Sequence, residues 1–118
     1  MWVVSREMKP LQANDLQDFT KRFQNFEDAQ LRSLKVLSQT QMTLTLGVQD
    51  ASRAYDWISL SLEFNDVKDA SLVSDEQLPL IEMSEGASFG YNDCFKFQIN
   101  SSTFFIEAQT IKYQEGNF

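Results

Sequence analysis

The sequence predicts an α+β domain: one N-terminal amphipathic helix packed on a mostly antiparallel sheet of about five to seven strands, a curved sheet or a sandwich. Apolar residues recur at helical spacing between Leu16 and Phe26. After Ala29 they alternate with polar residues for most of the chain. Neither βαβ spacing nor an internal repeat is present. A chain of 118 residues fits a single domain over residues 1–118 with one hydrophobic core.

The helix signal is Asn14-Asp15-Leu16-Gln17: Asn14 is placed to cap the exposed amides, and Gln17 to reach back as in a capping box. Asp15 and Asp18 suit the positive end of the helix. Leu16, Phe19, Phe23 and Phe26 make one apolar stripe that packs on the sheet.

Met42, Leu44, Leu46 and Val48 alternate with Thr43, Thr45, Gly47 and Gln49, a strand with one buried face, and residues 31 to 37 precede it as a hairpin partner. Beyond a polar turn from Asp50 to Asp56, Ile58, Leu60, Leu62 and Phe64 alternate in the same way and put Trp57 on the polar face. Asn65-Asp66 predicts a turn, followed by an edge strand through Val67 and Leu72.

Residues 74 to 93 carry weaker signals. Pro79 opposes a central helix, Leu80-Ile81 reads as a short strand, and Gly86 to Gly90 reads as loop. Phe95, Phe97 and Ile99 alternate inward, Asn100-Ser101-Ser102 turns the chain, and Phe104 to Tyr113 returns as the second strand of a hairpin. In that strand the apolar phase slips between Ala108 and Ile111, which predicts a bulge near Gln109 or Thr110.

Composition bounds the chemistry. With no histidine there is no Ser-His-Asp or Cys-His pair and no histidine metal ligand, so no catalytic residues are assigned and the chain is read as not an enzyme. The lone Cys94 cannot close an intrachain disulfide or make a four-thiolate zinc site. Asp93 precedes it and no base lies nearby, so it reads as a partly packed strand residue. The pairs Asp66/Asp69, Asp75/Glu76 and Glu82/Glu85 resemble acid/base couples, but nothing in the sequence sets their separation. Asp66-Val67-Lys68-Asp69 lacks the spacing and the glycine of a calcium loop, and Gly86 to Gly90 lacks the lysine and following helix of a phosphate cradle. No metal and no cofactor is expected. Met1-Trp2-Val3-Val4 is too short for a signal peptide, and no apolar run approaches the ~20 residues of a membrane span, so a cytoplasmic location without membrane contact is expected.

The net charge of −7 is concentrated in one stretch. Residues 36 to 49 carry no charge, whereas Asp50 to Asp93 hold ten acids against Arg53 and Lys68. Such a field repels nucleic acid, unless the N-terminal bases form a patch of their own, and attracts basic proteins. Solubility alone accounts for an acidic surface but not for its concentration in one segment. The expected partner-binding residues are Asp50, Asp56, Asp66, Asp69, Asp75, Glu76, Glu82 and Glu85 as a charged shell, with Tyr55, Trp57 and Tyr91 as aromatic anchors.

Phe26-Glu27-Asp28-Ala29-Gln30-Leu31, the Leu44 to Val48 strand, and Trp57 to Phe64 followed by Val67 resemble small bacterial immunity proteins of polymorphic-toxin and contact-dependent growth-inhibition systems. The resemblance covers roughly residues 26 to 72, with an echo in Phe105 to Tyr113, and Glu27 stands where the pattern has histidine. It implies a non-catalytic protein that binds a cognate toxin domain and blocks its active site. A nuclease toxin with a basic cleft suits the acidic charge. Two other readings fit the same residues: an acidic, phosphate-mimicking inhibitor of another nuclease, of the anti-restriction or anti-CRISPR type, and a small β domain binding an apolar ligand between helix and sheet.

Overall fold

In a computed structural model that describes residues 8–118, the alternating segments form one antiparallel sheet. Met1-Trp2-Val3-Val4 lie outside the described residues. The strands are β1 (Lys9–Pro10), β2 (Gln30–Ser38), β3 (Gln41–Asp50), β4 (Asp56–Ser71), β5 (Ala87–Tyr91), β6 (Phe95–Ile99) and β7 (Phe105–Asn117). Their order is β2-β3-β4-β7-β6-β5, with β1 also pairing β7. β7 therefore has β6 beside its first half, at Phe105 to Ala108, and β1 beside its second, at Lys112 and Tyr113. One open sheet with a helix against it is the expected architecture.

The helix is shorter than its stripe. A 3-10 turn at Ala13–Asp15 leads into α1 (Leu16–Arg22), and the last of the four apolar positions, Phe26, lies on a second 3-10 turn, Gln24–Phe26. Gln24, Asn25 and Phe26 all have positive φ, which reverses the chain towards β2. The stripe survives this break: Leu16, Phe19, Phe23 and Phe26 are all buried. The capping box does not form. The Asp15 amide donates to Gln12 O at 3.1 Å, so the backbone enters the helix already turned, and neither Asn14 nor Asp15 makes a side-chain cap.

Four further expectations change. Asn65-Asp66 does not turn: β4 continues for 16 residues, with Asp66 at φ 53° and a register irregularity between Val67 and Asp69. Aspartate tolerates the left-handed backbone, so the strand kinks where a turn was expected. The stretch after Asp66 is thus the continuation of β4, still paired with β7 but past the end of β3, whose last partner is Asn65. The bulge expected near Gln109 or Thr110 is not there: Asn65↔Thr110 and Val67↔Ala108 keep equal spacing on both strands, and the extra residue is Lys68 on β4, between Val67↔Ala108 and Asp69↔Glu107.

Leu80-Ile81 is not a strand, since Leu78–Leu80 is a 3-10 turn that Pro79 suits and that packs on β2. Gly86 to Gly90 is not a loop. Ala87 to Tyr91 pairs in register with Ile99 to Phe95, and Gly86 alone supplies the turn, at φ 72°.

The inner face of the sheet is the core. Met42, Leu44, Leu46 and Val48 on β3 and Ile58, Leu60, Leu62 and Phe64 on β4 are all buried, opposite each other in register. Phe26 sits at the centre of the helix side, 5.7 Å from Phe97, 6.2 Å from both Phe23 and Phe89, and 6.4 Å from Phe19, centroid to centroid. Edge-to-face and tilted rings at these distances add to burial itself. The space between helix and sheet is therefore filled by phenylalanine. The outer face of β3 and β4 carries Thr43, Thr45, Gly47, Gln49, Trp57, Ser59, Ser61 and Glu63.

Candidate interaction surface

Asp50 departs from its expected role. It is fully buried, the one buried charged residue among the described residues, at the C-terminal end of β3. Arg22 at the end of α1 donates Nε–H to Oδ1 at 2.8 Å and Nη2–H to Oδ2 at 2.7 Å, and the Ser52 amide donates to Oδ1 at 2.9 Å. Arg53 Nε approaches Oδ2 at 3.3 Å. Glu115 on β7 completes the cluster, against the Arg22 guanidinium and 3.7 Å from Arg53 Nη2.

Two arginines thus balance two carboxylates. Hydrogen bonding from Arg22 holds the Asp50 carboxyl below its ordinary range, against the opposing effect of burial. The Arg22 guanidinium is raised in turn, first by Asp50, and stacks on Phe23 at 4.8 Å. The cluster ties the end of α1 to β3 and β7. A carboxylate so enclosed has no face for a partner, so Asp50 leaves the charged shell.

The other seven predicted acids, Asp56, Asp66, Asp69, Asp75, Glu76, Glu82 and Glu85, are exposed. None pairs with a cation: among the described residues every ion pair belongs to the Arg22–Arg53 cluster. Two of the seven accept local amides. Asp69 Oδ1 takes Ala70 N–H at 2.9 Å, and Glu82 Oε1 takes Ser84 N–H at 3.1 Å. The Ser84 contacts hold the Glu82 carboxyl below its ordinary range.

The acids fall into groups. Asp56 and Asp66 stand ten residues apart on β4, about 33 Å at ~3.3 Å per residue. Glu82 and Glu85 border the turn at Met83 to Gly86, where the Asp28 amide donates to Met83 O at 2.8 Å. Asn100 Nδ2 donates to Glu85 O at 3.0 Å, and Ser101 Oγ bonds to Glu82 O. A Cβ on Gly86 would stand 2.2 Å from Asn25 O, which shows how closely the two turns pack. Exposed Glu27 and Asp28 therefore join Glu82 and Glu85 in one acidic group. The sequence reading missed these two because they belong to a stretch whose charges nearly cancel.

The aromatic residues divide as well. Tyr55, in the left-handed turn before β4, and Trp57 on its outer face are exposed near Asp56. Tyr91 is exposed near the tip of the β5–β6 hairpin, edge-on to Phe95 at 4.8 Å, away from that pair. Trp57 has a neighbour that sequence could not supply: Phe118, at 5.4 Å, with the Arg32 guanidinium 4.1 Å above the Phe118 ring. Arg32 occupies the irregularity between Leu31 and Ser33 in β2, which strict alternation does not anticipate.

The Cys94 thiol is partly buried, 3.8 Å from Glu107 Oε1, a weak sulfur contact. Among the described residues no three Cys, Asp or Glu side chains come together as a metal-binding group. No helix among them is long and apolar enough to cross a membrane. No family model, curated protein or solved structure matches the chain. The assignment of function rests on the surface itself.

Proposed function

We propose that this is a cytoplasmic, non-catalytic immunity protein of a bacterial polymorphic-toxin or contact-dependent growth-inhibition system. It neutralises a cognate toxin domain, a basic nuclease, by protein–protein contact, without binding nucleic acid or membrane. The observation that carries the reading is the set of seven exposed carboxylates with no cation partner among the described residues, joined by Glu27 and Asp28 at the Met83–Gly86 turn. Uncompensated acids cost a protein self-repulsion and give it a field that accelerates encounter with a basic surface. A nuclease cleft built for phosphate is such a surface, and carboxylates placed in it occupy the phosphate positions. Tyr55 and Trp57 beside Asp56 supply aromatic area of the kind found at binding hot spots.

Co-expression with the product of the adjacent upstream gene tests this. The expected result is a stable complex and loss of nuclease activity, both weakened by the double reversal Glu82→Lys/Glu85→Lys. An unchanged nuclease in the presence of a folded protein would end the proposal. Inhibition of an unrelated restriction or CRISPR nuclease, with no effect on the neighbouring product, would favour the phosphate-mimic alternative.

A further inference from the structure

The outer face of the sheet reverses the sign of the rest of the molecule. In register across the strands lie Gly47, Ser59 and Gly116, then Ser33, Thr45, Ser61 and Gln114, then Lys35, Thr43, Glu63 and Lys112. Small hydroxyl and glycine residues make this face flat, with Thr45 Oγ1 and Ser61 Oγ 3.4 Å apart. At one border stand Trp57 and Phe118 with Arg32 above the Phe118 ring. The charged residues of these rows and their border are thus Arg32, Lys35 and Lys112 against Glu63, and farther along the face Lys96 stands opposite Glu107, in a protein of net charge −7. None of Arg32, Lys35 and Lys112 forms an ion pair among the described residues.

Gly47 is built into this arrangement. A Cβ there would stand 2.6 Å from the Phe118 ring and 3.4 Å from Arg32 Nε, so glycine lets the aromatic ring lie on the strand. The ring is then bordered by Gly47, by Trp57 at its side and by the guanidinium above, and it stays half exposed. Glu63 stands opposite Lys112 on this face and opposes a phosphate backbone there, which disfavours stacked single strands. The stacked guanidinium instead presents its N–H fork to carboxylates, beside an apolar border.

The chain carries the complement. Leu80, at 80% exposure the most exposed large apolar side chain among the described residues, projects from the segment 74 to 85, which holds Asp75, Glu76, Glu82 and Glu85 and no base. An apolar residue among acids matches an aromatic pair among bases. We propose that the outer face, through Trp57, Phe118, Arg32 and Lys35, docks the Leu80-bearing acidic segment of a second copy of this chain. This self-contact does not depend on the toxin reading, and it covers the same carboxylates that a toxin would meet.

Sedimentation velocity of the full chain alone, between 5 and 500 μM and in 20 or 500 mM salt, tests it. The weighted sedimentation coefficient is expected to rise with concentration at low salt, with self-affinity falling about tenfold or more at high salt. Arg32→Glu and Leu80→Asp should each abolish the rise while circular dichroism and melting stay unchanged. Mixing Arg32→Glu with Glu82→Lys/Glu85→Lys should restore association through the swapped charges. A wild-type chain that stays monomeric throughout overturns the proposal, as does association that survives both single variants. Quenching of Trp57 by oligo-dT, with no self-association, would assign the face to a polyanion and also overturn it. Failure here leaves toxin binding untouched, because the chain is measured alone.

Discussion

Replacing Asp50 by asparagine probes the cluster that ties α1 to the sheet. The substitution keeps the shape but removes a charge held by two Arg22 hydrogen bonds, at 2.8 and 2.7 Å, and approached by Arg53. Half of the new amide presents N–H donors to guanidinium donors. Breaking a buried pair on one side costs about 3–5 kcal/mol. Arg22 keeps 26% side-chain exposure and Arg53 50%, so water relieves part of the loss and the expected cost is about 3 kcal/mol, at the low end of that range.

In urea titration the midpoint should fall with the slope unchanged, and Tm should drop by roughly 12 °C at ~4 °C per kcal/mol. Arg22→Met retains an apolar stem over Phe23 and removes the other half of the pair. The double variant should then cost less than the sum of the singles, by about 1–3 kcal/mol.

Acid titration gives the sign. Asp50 is held below its ordinary value near 3.8 in the folded state, so its contribution is fully present above that value and is lost as pH falls through the lowered folded pKa. The stability gap between wild type and Asp50→Asn should therefore be constant from neutrality to about pH 4 and close below it. An Asp50→Asn cost under ~1 kcal/mol, or a gap that widens as pH falls, would refute the reasoning.

Gly86→Ala places a Cβ 2.2 Å from backbone Asn25 O at φ 72°, so a loss of about 2–4 kcal/mol is expected in urea unfolding. Gly47→Ala meets the movable Phe118 ring and, at 3.4 Å, the flexible Arg32 side chain, so stability should change by under ~1 kcal/mol while Trp57 fluorescence shifts as its neighbour is displaced. Phe26→Ala, in a fully buried ring cluster, should cost about 3–5 kcal/mol by thermal melting.

The parts of the fold that were legible in the sequence are those with a half-buried period. Met42 to Val48 and Ile58 to Phe64 alternate because one face meets the core and the other water, and both became strands in register. The misread parts depend on single backbone residues. Gly90 lies within β5 with open space around its α-carbon, and only Gly86 needs a glycine conformation, so two glycines of equal weight in the sequence have unequal roles. Asp66 adopts the left-handed backbone that a turn would use, yet β7 pairs on both sides of it and carries the strand through. Of the expected charged shell, Asp50 was misplaced because its partner, Arg22, lies 28 residues earlier on another element. Phe118 and Arg32 were invisible for the same reason: their meeting over Gly47 is a product of strand register, not of spacing along the chain.

The central claim is that exposed carboxylates with no cation partner among the described residues bring this protein to a basic nuclease. Stopped-flow association with the nuclease domain encoded beside it, from 20 to 200 mM salt, measures that most directly. The predicted rate constant lies above ~10⁷ M⁻¹s⁻¹ at low salt and falls about tenfold or more across the range, with a further fall for Glu82→Lys/Glu85→Lys. A rate that ignores salt and the charge reversal, or the absence of any complex, would contradict it.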